Sequence, residues 1–135
     1  MLTKFRRFFF VRKRRKIIKT KKSKNDFAQY KAASLVLVNT RIEHFNAVYN
    51  FKFNYVRIKN ATSRWGSCSS KGNLNFNYRV AFLPEKLLDY VVVHELCHLG
   101  EFNHSPKFWN LVAKTVPNYM EIRAELKKIS IDIVF

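Results

Sequence analysis

Acidic residues are scarce in this chain: nine Asp and Glu stand against 26 Lys and Arg in 135 residues, a net charge of +17. No cluster of carboxylates offers the usual hold on magnesium and phosphates, and no P-loop is present, which argues against nucleotide phosphate hydrolysis. Cysteine is nearly absent too. Cys68 and Cys97 are too few for a disulfide framework, and reduced thiols fit a cytoplasmic protein. No apolar run approaches the ~18–20 residues that a membrane span needs. The run Phe8–Val11 falls short of the ~7–15 residues of a signal-peptide core and leads straight into bases, so secretion is not expected. With three glycines and three prolines there is no internal repeat, and no low-complexity segment beyond the basic start. The composition, 47% hydrophobic and 16% aromatic, is that of one globular domain with a modest core.

The positive charge is uneven. Residues 1–24 hold twelve bases and no acid, whereas residues 25–135 hold fourteen bases and nine acids. The first segment reads as a weakly structured basic arm, densest at Arg12–Lys16, and the second as the folded domain. Such an arm can contact nucleic acid, the ribosome or another polyanion through its phosphates, with Phe5, Phe8, Phe9 and Phe10 able to stack on bases or enter an anionic membrane surface. A solvated tail is the plainer reading.

The densest chemical signal is His94-Glu95-Leu96-Cys97-His98, with His104 six residues further on. Histidines at i and i+4 of a helix face the same way with Cβ atoms about 5–6 Å apart. Both imidazoles can then reach one ion at about 2.0–2.1 Å. On a continued helix His104 would lie about 9 Å beyond His98 on another face, so the chain must turn first. Gly100 is expected to end the helix in the left-handed region, and Pro106 to keep Ser105 out of it, which leaves His104 in a return loop. Three histidines with an open fourth position describe a catalytic zinc site. Glu95, about 100° around the helix from His94, is placed to act as general base on water activated at the metal. Cys97 is about 100° from His98 and reads as a packing thiol, and His44 as a structural or surface histidine.

Around this motif the spacing predicts a helix from Asn25 or Asp26 to about Asn50, with Phe27, Tyr30, Ala33, Leu37, Ile42, Phe45 and Val48 on its packing face. Alternation predicts strands over Phe51–Lys59 and Leu74–Phe82, paired as an antiparallel hairpin or meander across a turn-rich segment, 62–73. The metal helix is expected from Pro84 to Leu99, a helix from Ser105-Pro106 to Pro117, and a last one over Tyr119–Ile129.

In order and spacing, Arg64-Trp65-Gly66-Ser67-Cys68-Ser69, Gly72-Asn73-Leu74, Asn77-Tyr78-Arg79, the stretch Tyr90–Leu99, Asn103-His104-Ser105 and Phe108-Trp109 closely resemble the YgjP-like metallopeptidase domain, a relative of SprT-like and WLM zinc proteases. The resemblance spans about residues 25–129. It implies a minimal zincin-like α+β domain, a small antiparallel sheet with about four helices. It also implies one zinc held by His94, His98 and His104, and Glu95 as catalytic residue. Larger relatives carry a more extensive β-rich region where this chain has its basic arm. The metzincin pattern is rejected, because Glu101 stands where its glycine would be and Met120 makes no Met-turn.

The expected reaction is hydrolysis of a peptide or protein substrate, with Glu95 moving the proton from water to the leaving amine. The strand Leu74–Phe82 is the candidate edge for an extended substrate, as zincins often pair substrate with the strand before the metal helix. Arg64, Tyr78 and Asn103 are candidates for contacting substrate or its oxyanion, although packing or loop roles are open to each. Competing readings are a metal-dependent nucleotide phosphate hydrolase, a protease acting on nucleic-acid-bound proteins, and a basic nucleic-acid-binding protein with a structural histidine cluster.

Overall fold

The computed structural model describes residues 26–131, so the basic arm expected over residues 1–24 lies outside the described residues. In chain order these form helix α1 (Asp26–Tyr49), strands β1 (Tyr55–Lys59), β2 (Gly66–Cys68) and β3 (Asn73–Asn77), a 3-10 helix (Tyr78–Phe82), and helices α2 (Glu85–Cys97), α3 (Pro106–Ala113) and α4 (Tyr119–Lys127). The α+β class expected from the sequence is what is found, with four helices beside a small sheet.

No glycine or proline interrupts α1, and Asp26 complements its dipole. Asn50, at φ 55°, ends it in the left-handed region that asparagine tolerates, and the Asn46 side chain holds both the N–H and the carbonyl of Phe51 at 2.9 Å. Ser34, Leu37, Val38, Ile42 and Phe45 are its buried stripe. Val48, expected on that face, is 60% exposed; it lies about 60° around the helix from Phe45, off the stripe. Arg41 donates two hydrogen bonds to Asp89, at 2.7 and 3.0 Å, a bidentate pair that ties α1 to α2.

The sheet corrects the expected pairing. Strand order is β1-β3-β2, with β1 parallel to β3 and β2 antiparallel to it. The antiparallel partner is the short strand Gly66–Cys68, inside the segment that reads locally as turn formers. Hydrogen bonds to β3, not β-propensity, make it a strand. Its hairpin closes at Ser69–Gly72, where Gly72 takes φ 79°. The first strand begins at Tyr55 instead of Phe51. The other stops at Asn77, where the side-chain oxygen accepts from the Arg79 N–H at 3.1 Å and turns the chain into the 3-10 helix. All five residues of that helix are buried, so their alternation carried no strand information. The buried Arg79 guanidinium donates to the Ala61 carbonyl at 3.1 Å and the Asn60 side chain at 3.2 Å, and the Asn77 amide donates to the carbonyls of Ala61 and Arg64. Together they pin loop 60–64 above the site.

Helix α2 runs through the middle of the molecule. Leu87, Leu88, Tyr90, Val91, Val92, Val93, Leu96 and Cys97 are buried almost all round it, as befits a helix packed on several sides. It contacts α1, α3, α4, β2 and the 3-10 helix. No helix among the described residues is long and apolar enough to cross a membrane.

Candidate metal centre

The end of α2 and the loop after it bring three imidazoles together. His94 Nε2 lies 3.1 Å from His98 Nε2 and 3.2 Å from His104 Nε2. Two nitrogens each at ~2.0–2.1 Å from one tetrahedral ion are about 3.3–3.4 Å apart, so His94 is spaced from each of the other two as a ligand would be, and all three lie within 4.8 Å of one another. The other nitrogens of His98 and His94 are already engaged. His98 Nδ1 is 3.1 Å from the Glu101 carbonyl, which can only accept, so that nitrogen carries the proton and Nε2 presents a lone pair. His94 Nδ1 faces the Tyr90 hydroxyl at 3.3 Å, one helical turn back. Burial, with His98 and His104 adding to it, pushes the His94 pKa down to about 3, so this ring stays neutral and ready to ligate. Three lone pairs converging in one place fit a divalent metal. Among the described residues this is the cluster that can hold one.

The turn that delivers His104 differs from the expected one. Gly100 is not left-handed; among described residues only Asn50 and Gly72 have positive φ. A Cβ at Gly100 would sit 2.8 Å from the Phe51 ring and 3.1 Å from Leu111, so glycine is there for close packing. Ser105 does adopt extended backbone before Pro106, which opens α3. Helix α3 then places Phe108 under the site. Its fully buried ring stacks on His98 at 4.4 Å and meets His94 and His104 edge-on, each at 5.0 Å. Trp109 stacks on His104 at 5.9 Å and on Tyr119 at 4.9 Å. In the sequence both aromatics belong to the family resemblance, with no contact to the histidines assigned to them.

Glu95 is 7% exposed and shares the cleft wall with Arg64 and Gly66. Burial raises its carboxyl to about 8, with the Arg64 charge acting in the opposite direction. Gly66 makes room for it, since a Cβ there would approach Glu95 Cγ at 2.9 Å and the Asn75 carbonyl at 3.2 Å. Cys97 is buried in the core, and His44 is exposed beside Phe45, apart from the cluster.

The three proposed substrate contacts fall in different places. Arg64 lines the cleft of about 500 Å³ beside His94 and Glu95. Tyr78 packs in the core, edge-on to Phe27 at 5.6 Å, and does not line the cleft. Asn103 is exposed in the loop before His104. Tyr90 and Arg123 line the cleft without having been singled out in the sequence. Tyr90 was legible as the residue four before His94; Arg123, from a helix 29 residues downstream of His94, was not.

The α+β fold and the converging imidazoles define a metallopeptidase, a hydrolase that acts with a divalent metal. The YgjP-like metallopeptidase domain matches residues 9–129, and the chain belongs to that family. The match begins inside the basic segment. Among solved structures, the metallopeptidase zymogen of Pyrococcus abyssi abylysin is 27% identical, with a TM-score of 0.62 over 67% of this chain and 92% of that one. The zymogen of Methanocaldococcus jannaschii jannalysin, 24% identical with a TM-score of 0.58 over 67% and 94%, shares the fold. No curated protein sequence matches the chain.

Proposed function

We propose that the chain is a zinc peptidase in which His94, His98 and His104 hold one zinc and Glu95 is the general base. The observation that carries this reading is that His94 Nε2 lies 3.1–3.2 Å from the Nε2 atoms of His98 and His104, with Glu95 on the same helix, in a chain of a metallopeptidase family. When bound, zinc supplies the Lewis acidity that polarises a peptide carbonyl and acidifies a water.

The remaining work falls to the chain. The Glu101 carbonyl and the Tyr90 hydroxyl orient His98 and His94, fixing which nitrogen of each faces the site. Glu95 takes a proton from the attacking water and passes it to the leaving amine. Burial raises the affinity of that carboxyl for a proton, which favours the protonated form it takes between the two transfers. The substrate edge moves from the strand first expected. Strand β3 is central, paired on both sides, whereas among the described residues β2 pairs on one edge alone, and it adjoins Glu95 through Gly66. In the β2–β3 ladder Trp65, Ser67 and Ser69 face β3, so Gly66 and Cys68 turn their N–H and carbonyl groups outward, where an extended peptide can add. Arg64, held by its own carbonyl through Asn77, flanks that edge as a substrate or oxyanion contact.

Elemental analysis and a peptidase assay test the assignment together. Wild type should carry about one zinc per chain, His98→Ala little, and Glu95→Gln the full amount without hydrolysis. A folded wild type that takes up no zinc, or a fully active Glu95→Gln, would overturn it.

A further inference from the structure

The cleft beside the histidines is more cationic than cleavage of a neutral peptide requires. Its floor is Tyr90, His94 and Glu95 of α2; Arg64 rises from the loop before β2, and Arg123 and Lys127 from α4. All three cations are exposed. Among the described residues Glu95 is the one acid lining the cleft; it is buried and feels the Arg64 charge, which leaves the cleft with a net positive surface.

Helix α4 sorts its charges. Arg123 and Lys127, four apart, share the face that looks into the cleft, while Glu121 and Glu125, also four apart, share another. Glu125 pairs with Lys86 at 2.8 Å, away from Arg123. Among the described residues Arg64, Arg123 and Lys127 have no ion pair, whereas Arg41 and Lys86 do. Two of the three are also held in place. The Arg123 guanidinium lies 5.1 Å over the Trp109 ring, and that ring stacks on His104, so this cation sits one aromatic layer from a metal ligand. The backbone of Arg64 is fixed by the Asn77 amide at 3.0 Å.

We propose that Arg64, Arg123 and Lys127 form an anionic subsite that selects peptide substrates carrying acidic side chains beside the scissile bond. That the occupant is a substrate rests on the peptidase reading above; that it is anionic rests on the charge arrangement alone. A peptide is favoured over nucleic acid because the cations flank the β2 edge that no described strand pairs, whose outward N–H and carbonyl groups match an extended polypeptide.

The test is equilibrium binding, by fluorescence anisotropy, to the purified full-length Glu95→Gln chain and to the same chain carrying R123A and K127A. The probes are end-blocked decapeptides identical except for four Glu, four Gln or four Lys, and a single-stranded oligonucleotide of matched charge. Single exposed ion pairs are weak, but three acting on one ligand at low salt should favour the Glu peptide over the Gln peptide by ~10-fold. The double variant should lose about that factor for the Glu peptide and stay within ~2-fold for the Gln peptide, since the lost contacts are charge contacts. Comparing the two proteins cancels any contribution from residues 1–24. R64A, in a separate element, should shift affinity the same way, which guards against a folding defect in α4. Equal affinity for Glu and Gln peptides, or a Glu preference that survives both variants, overturns the subsite. So does tighter binding of the oligonucleotide that the double variant weakens. Because binding needs no turnover, a chain that shows the preference yet hydrolyses no peptide would sink the peptidase reading and leave the subsite standing.

Discussion

Replacing Gly66 by alanine separates the placement of Glu95 from the holding of the metal. The added Cβ would stand 2.9 Å from Glu95 Cγ, 3.3 Å from Cδ and 3.2 Å from the Asn75 carbonyl. Carbon atoms pack best at about 3.5–4.0 Å, so the contact with Cγ is short by at least ~0.6 Å. The carbonyl belongs to the central strand and cannot retreat without breaking the ladder. The Glu95 side chain, or β2 itself, has to yield. Overpacking of this kind costs about 1–3 kcal/mol, or a fall in Tm of about 3–10 °C for a chain of this size. In the general-base role proposed for Glu95, a displacement of up to ~1 Å costs as much as ~10²-fold in kcat. The three atoms nearest the added Cβ belong to Glu95 and Asn75 and none to a histidine, so zinc content should stay at the wild-type value. Thermal melts, metal analysis and steady-state kinetics on one preparation read all three. Wild-type Tm and kcat in Gly66→Ala would refute the packing of Glu95 against β2.

Phe108→Ala removes the ring under all three imidazoles and should cost about 3–5 kcal/mol of stability as a buried aromatic truncation. It should also weaken zinc by ~10-fold through loosened ligands; urea melts and chelator competition separate the two, and unchanged zinc affinity would reduce Phe108 to a core residue. Tyr90→Phe should lower zinc affinity ~10-fold or more by releasing His94 Nδ1, with only ~0.5–1.5 kcal/mol lost in the metal-free chain. Glu95 gives a pH signature. Its folded pKa, about 8, lies above its unfolded value, so the unfolded chain loses the proton first as pH rises. The metal-free chain should therefore be most stable below about pH 4.5 as far as this group is concerned, and lose on the order of a few kcal/mol by pH 8. Urea midpoints of wild type and Glu95→Gln between pH 5 and 8 should diverge as pH rises, with the variant the more stable; parallel curves would refute the burial argument.

Much of the centre was legible because it is local. The pairing of His94 with His98 follows from helical spacing, the position of Glu95 on the cleft wall from its place one residue on, and the return of His104 from Pro106 and the extended Ser105. Gly100 was read for backbone freedom when its role is to admit the Phe51 ring, and no spacing rule distinguishes the two. The same limit applied to Tyr78–Phe82, where alternation suggested a strand although every residue is buried.

The sequence by itself determined which residues could share a metal, since covalent spacing along one helix and one turn settles where three imidazoles can point. Only the tertiary structure decided the sheet. Which strand pairs with which depends on hydrogen bonds between segments far apart in the chain, so β2 emerged from turn formers and β3 became central. It likewise decided the walls of the cleft. Arg123 reaches the site because α4 packs back on α2, and Phe108 supports the histidines because α3 folds beneath them, and neither contact has a local signature for a sequence to carry.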